Sequence, residues 1–443
     1  MQQHIALSVR IKKFFATLGP GLITGASDDD PSGIATYSQA GAKFGFATLW
    51  TALITFPLMA AIQEMCARIG LVTSVGLTTT LKAHYPKWLL YLMLLFSVPA
   101  IILNIGADIA GMGAVAHLVI PAVAPMAFSV IFTVTLLVII IYLPYKKIVA
   151  VLKYLCVSIL LYIAVPFFTH PDWLSVLKSA FIPILHLNRD FIEILVAILG
   201  TTISPYLFFW QVTMEAEDVK SSRQLILARR RLFKSPEEKR QSKVKETNMI
   251  MLLIRKMQLD VNLGMFLSNF VMFFIILATG SALFSHGITQ IDTVEQAAKA
   301  LAPVAGKASY LIFSLGVIGT GFLAIPVLSG SLSYIVSETF GWKGTLDKRF
   351  TQAKPFYAII IASLFIGLLI NYIGLSPIKA LYYTAVLYGL TSPVLIAIVM
   401  HIANNKKIMK LNINGMLSNI LGTTAFILMT AAAIALLYFI FHK

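Results

Sequence analysis

The sequence is poor in charge, and poor in the residues from which catalytic and metal-binding motifs are built. Only 12% of its 443 residues are Asp, Glu, Lys or Arg, while 58% are hydrophobic. A soluble chain of this length needs a charged surface to stay dispersed, so a soluble globular protein is excluded. There are two cysteines, Cys66 and Cys156, each inside an apolar segment. With no paired pattern they read as packing residues, which excludes a disulfide framework and a zinc knuckle. Eight histidines occur, and none falls in the middle of an apolar run. The H-E-x-x-H, G-x-S-x-G and Walker patterns are missing, so zinc hydrolysis, a serine-nucleophile elbow and ATP-driven transport all lack their parts. The sequence therefore predicts no enzyme and no resident cofactor.

What it does have is apolar runs long enough to cross a hydrocarbon core. Eleven spans are predicted, at about 17–43, 46–69, 88–117, 125–145, 149–169, 191–216, 260–285, 308–338, 355–374, 378–402 and 418–441. Arg10, Lys12 and Lys13 precede the first run as in a signal peptide, but polar residues interrupt that run and no small-residue cleavage site follows. It is read as an uncleaved span. The net charge of +16 sits in short segments between spans, which is the pattern of membrane topology rather than of nucleic-acid binding. With residues 1–16 in the cytoplasm, every inner segment is the richer in Lys and Arg: Arg68, Lys82 and Lys87; Lys146, Lys147 and Lys153; Lys343, Lys348, Arg349 and Lys354; Lys406, Lys407 and Lys410. On the outer side Lys178 and Arg189 are offset by Asp172 and Asp190. The basic stretch 217–258, with Arg229, Arg230, Arg231, Lys239 and Arg240, is read as a solvated inner connector, a lipid-binding element being the alternative. The expectation is an integral, multi-pass protein of a bacterial inner membrane, with its C-terminus outside and lipid as its surroundings. Nothing in the sequence points to an obligate protein partner.

Two spans are interrupted. The first holds Asp28, Asp29, Asp30, Pro31, Ser32 and Gly33 at its centre; the sixth holds Gly200, Thr201, Thr202, Ser204 and Pro205. Proline removes a donor and pushes the preceding residue out of the α region, so unwinding is expected at Asp30 and Ser204. The two lie five spans apart, in matching places of two five-helix halves, 17–169 and 191–402. Five is odd, so the halves are inverted. Mid-membrane charge costs about 2.5–3.5 kcal/mol per residue even on the milder scale, which marks the three carboxylates as functional. Three neighbours cannot all face one ion, so Asp30, at the break, is the expected ligand, with Asp28 or Asp29 lining an inner vestibule. Asn104 and Asp108 share a face of the third span; Asp108 is either a relay or a structural carboxylate bonded to Asn104 or to a neighbouring helix. Asn269 is expected to bond the unwound part of the first span, Glu64 and Arg68 to pair, and Glu215, Glu217 and Asp218 to form a solvated helix end.

These residues resemble the NRAMP family of divalent-metal transporters. Gly19-Pro20-Gly21 followed by Asp30-Pro31-Ser32-Gly33 is similar to that family's Gly-Pro-Gly and D-P-G-N. Ala67-Arg68-Ile69-Gly70-Leu71-Val72-Thr73 is similar to its A-R-L-G-V-V-T, Asp108-Ile109-Ala110-Gly111 to its D-L-A-E, and Thr201 through Tyr206 to its A-x-x-M-P-H. The resemblance implies an all-α membrane protein with a LeuT-type inverted 5+5 repeat, 418–441 being an extra eleventh helix. It implies a divalent cation as substrate, held at Asp30, Gly33, Thr201 and Ser204. The family's metal-binding Asn falls on Gly33, its thioether Met on Ser204, its helix-six histidines on Tyr206 and Gln211, and its relay Glu on Gly111. Loss of the thioether leaves oxygen ligands, which suit hydrated Mg²⁺ or Mn²⁺ better than soft metals. Two other readings stay open: an amino-acid or organic-cation carrier of the same fold, and a membrane-embedded sensor or enzyme.

Overall fold

The computed structural model describes residues 20–143, 156–230, 236–342 and 344–442. The expected inner N-terminus and the cations Lys146, Lys147, Lys153, Arg231 and Lys343 lie outside them. Every regular element among the described residues is helical. The interrupted first span forms α1 (Pro20–Asp28) and α2 (Pro31–Phe44). After it come α3 (Leu49–Thr73), α4 (Lys87–Val119) and α5 (Pro125–Tyr142). The sixth span is α6 (Arg189–Thr202) and α7 (Pro205–Arg230), followed by α8 (Pro236–Ala282). The chain closes with α9 (Ser309–Phe340), α10 (Lys354–Ile370), α11 (Pro377–Asn404) and α12 (Met416–Phe441). Eight stretches among the described residues are long and apolar enough to cross a membrane; α10 is apolar but shorter. Of the expected fifth span, 149–155 lies outside the described residues. The remainder is a 3-10 turn, Cys156–Ile163, and a short helix, Val165–Thr169.

In the stretch 217–258, read from the sequence as a solvated inner connector, α7 runs on to Arg230 and α8 is described from Pro236, with 231–235 outside the described residues. Lys, Arg, Glu and Gln are good helix formers, and Pro at a first helical position gives up a donor that has no partner there anyway.

Proline alone does not break these helices. Pro57, Pro99 and Pro326 lie inside continuous α3, α4 and α9. Asp30 supplies what Phe56, Val98 and Ile325 lack, an oxygen that caps a new helix: it is extended (ψ 172°) and accepts from Gly33 N–H.

Small residues let the half-helices sit deep. A Cβ on Gly25 of α1 would lie 2.2 Å from the Gly264 carbonyl of α8, and one on Gly200 of α6 would lie 2.1 Å from the Ala385 carbonyl of α11. Backbone contact at these points holds α1 against α8 and α6 against α11, which brings both breaks to the centre of the molecule.

Candidate functional site

Asp30 is 1% exposed and fully engaged. Its Oδ1 accepts from Ser32 Oγ at 2.6 Å and from Gly33 N–H at 2.8 Å, and its Oδ2 accepts from Asn104 Nδ2 at 2.9 Å. Ser32 Oγ lies 3.4 Å from Thr201 Oγ1, which joins the first break to the second. Gly33 gives its N–H and its lack of bulk. A Cβ there would meet the Asp28 carbonyl at 3.3 Å and Thr201 Oγ1 at 3.4 Å, so the two breaks lie in close contact at Gly33.

A helix end leaves carbonyls without partners. Tyr206 O–H donates to the Ser27 carbonyl at 2.8 Å, and Ser204 O–H donates to the Thr201 carbonyl at 2.5 Å. Both freed carbonyls are thus covered by hydroxyls from α7 and its approach. Thr24 Oγ1 donates to Gln211 Oε1 at 2.5 Å, and Gln211 Nε2 donates to Glu215 Oε1 at 3.0 Å. The positions matched to the family's helix-six histidines therefore tie α7 to α1.

The expected roles of several residues need correction. Asp28 and Asp29 line no open vestibule: they are 0% and 7% exposed, and Ser268 Oγ lies 2.8 Å from Asp28 Oδ2 and 3.3 Å from Asp29 Oδ1. Asn269 does not reach the first span among the described hydrogen bonds. It accepts from Thr55 at 2.7 Å and donates to the Met265 carbonyl. One residue along a helix is a turn of about 100°, and it is Ser268 that faces the break. Asn104 does not cap Asp108, because its amide N–H₂ goes to Asp30. Glu215 is no solvated helix end, being 4% exposed within a helix that continues past it. The Glu64–Arg68 pair forms at 2.5 Å, as its spacing predicts.

Sequence reading placed Ser32 in the break without giving it a role, and missed Ser268 and Asp260, whose Oδ2 accepts from Gly21 N–H at 2.7 Å at the start of α1. A signal was present. Asp260, Gly264 and Ser268 recur every four residues, a polar and small stripe leading into the apolar half of α8, and that stripe faces α1.

Among the described residues no group of three or more His, Cys, Asp or Glu is arranged to hold a metal. Any cation site among them therefore holds at most two such side chains, and neutral oxygens or water must supply its other ligands.

Two broken helices meeting at the core of a many-helix membrane protein define a multi-pass transporter of the LeuT type. By shape the chain is similar to a manganese transporter of Eremococcus coleocola (TM-score 0.72, 17% identity, 96% of this chain and 87% of that one). It is also similar to Mhp1, a nucleobase–cation-symport-1 family transporter (TM-score 0.52, 13% identity, 95% and 91%). In sequence it is 24% identical over 416 residues to the divalent metal cation transporter MntH of Caldanaerobacter subterraneus, covering 92% of this chain and 89% of that protein. It is 22% identical over 431 residues to MntH of Chromohalobacter salexigens, covering 96% and 91%. Residues 21–439 match the family described as natural resistance-associated macrophage protein-like. The chain belongs to that family, and it is a transporter rather than an enzyme.

Proposed function

We propose that this transporter moves hard divalent cations, Mg²⁺ or Mn²⁺, by alternating access around Asp30. The observation that carries the reading is the chemistry at the two breaks: the buried Asp30 carboxylate, bonded by the Ser32 hydroxyl and by the N–H groups of Gly33 and Asn104, faces the hydroxyl-bearing second break, with Ser204 where the family places a thioether. Hard cations take such ligands, and Mg²⁺ retains several waters when it has only one or two carboxylates. The negative charge at the start of α2 also offsets the positive end of that helix, which would otherwise repel a cation. An organic anion is disfavoured for the converse reason, as Asp30 occupies the place where its carboxylate would go.

In this reading 17–169 and 191–402 are the two inverted repeats, the breaks at 29–30 and 203–204 are the hinges, and the basic inner segments hold the N-terminus in the cytoplasm of a bacterial cell. The structure as described is shut around the site, and its bonds from α1 to Asp260 and Gln211 are the ones opening must break. The test is uptake into proteoliposomes across Mg²⁺, Mn²⁺, Ca²⁺, Fe²⁺ and Cd²⁺. Mg²⁺ or Mn²⁺ should enter and compete best; preferred uptake of Cd²⁺ would overturn the reading.

A further inference from the structure

Four polar atoms beside Asp30 have no protein partner. Asp108 is 0% exposed, and neither Oδ1 nor Oδ2 is hydrogen-bonded; the Ser32 N–H lies near it, outside hydrogen-bonding geometry. Asn104, also 0% exposed, spends its amide N–H₂ on Asp30, while its Oδ1 accepts nothing. Tyr388 of α11 is 0% exposed with an unpartnered hydroxyl. Its ring lies 5.9 Å from that of Tyr206, whose own hydroxyl is fixed on the Ser27 carbonyl. The close approach of Gly389 to α6 sets Tyr388 at the level of the breaks. There its hydroxyl is within electrostatic range of both Asp30 and Asp108, and the two carboxylates are within range of each other. Among the described residues no ion pair reaches either one.

Buried acceptors without donors are rare in folded proteins, and two buried carboxylates without a counter-charge are costly. All the unpartnered atoms near Asp30 are oxygens. Asn104 and Asp108, four residues apart, present theirs from one face of α4. A divalent cation between Asp30 and Asp108 is the kind of partner that such bare oxygens lack. We propose that Asp108, Asn104 Oδ1 and Tyr388 O–H are cation ligands, so that in this chain the coordination sphere has moved from helix six to α4 and α11. The two ligands the family has on its first and sixth helices, absent here at Gly33 and Ser204, are then replaced from α4 and α11. Asp108 is then a ligand rather than a proton relay. This rests on the divalent-cation reading above.

The experiment uses the full-length protein in detergent and in liposomes, with Mn²⁺ as the probe, measured by calorimetric titration and by uptake. Asp108→Asn keeps shape and one oxygen but loses the charge; it should raise the Kd for Mn²⁺ about tenfold or more, or about 1.4 kcal/mol. Tyr388→Phe and Asn104→Ala should each raise it by roughly threefold to tenfold. Thermal midpoints without metal should stay close to wild type, and midpoints with Mn²⁺ should rise less than in wild type. Wild-type Kd in all three variants, with Asp30→Ala still abolishing binding, overturns the α4 ligands and leaves the transport reading intact. Wild-type Kd in Asp108→Asn combined with loss of pH-dependent uptake overturns it in favour of a relay. If wild-type protein binds no Mn²⁺ or Mg²⁺, both fall together.

Discussion

At the scale of single residues the site depends on Asp30, which caps α2, accepts from Asn104 and carries the charge. Asp30→Ala should lower cation uptake about a hundredfold or more while the protein still folds, since Ser32 and Asn104 are left beside space that water can enter. Purified variant protein with near-normal uptake would remove Asp30 from the site. In the proposed reading Ser204 sets selectivity. Its hydroxyl is small enough to turn back onto the Thr201 carbonyl, and Ser204→Met puts a thioether at the second break. Cd²⁺ should then compete better against Mn²⁺ by about tenfold, as soft ligands select soft ions. An unchanged Cd²⁺-to-Mn²⁺ ratio in competition uptake would show that the 204 side chain does not face the ion.

At the scale of elements, the broken helices are held in place by backbone contact. Gly264 faces α1 so closely that a Cβ on it would lie 2.2 Å from the Gly21 carbonyl. Gly264→Ala should therefore cost about 1–3 kcal/mol, because neither backbone can give way without moving a helix. A lowered thermal midpoint in detergent, with weakened uptake, is the expected result. A midpoint equal to wild type would mean that α1 stands off from α8. Asp260, at the end of the same stripe, ties the first turn of α1 to α8. Pro393 is a further proline inside a continuous helix. Ser392 donates to the Tyr388 carbonyl four residues back at 2.7 Å and α11 runs on; Asp30 caps forward and the first span divides.

At the scale of the whole molecule the question is what drives the cation. Histidine is the side chain suited to carry protons near neutrality, and the two family positions on the sixth span are Tyr206 and Gln211. In this structure both make fixed bonds to α1, and the family's relay Glu is Gly111, whose Cβ position meets Leu381 at 3.0 Å. Cation flux should thus need little or no proton flux. Membrane potential contributes about 2.3 kcal/mol per elementary charge per 100 mV, enough to drive accumulation. In liposomes loaded with a pH-sensitive dye, imposed Mn²⁺ or Mg²⁺ influx should leave the lumen near its starting pH. Acidification that tracks uptake and vanishes in Asp108→Asn would establish coupling and overturn this account.

Much was legible in the sequence because membrane burial writes itself into composition. Long apolar runs, cations confined to short connectors, and Pro beside Asp or Ser at mid-span each report a large free-energy term tied to one local segment. Those terms determined the helical class, the break at Asp30 and the pairing of Glu64 with Arg68, whereas Pro beside Ser is shared by the broken sixth span and by continuous α11, where Ser392 precedes Pro393. Which polar side chains meet across the centre was decided by helix rotation and close approach, which no single segment contains. Asn269 and Ser268 are neighbours in sequence, yet one bonds α3 and the other the first break. Asn104 and Asp108 share a face, yet the amide goes to Asp30 and leaves Asp108 bare. The hydrophobic effect is non-directional and can be read residue by residue; hydrogen bonds between distant helices are directional and exist only once the helices are packed.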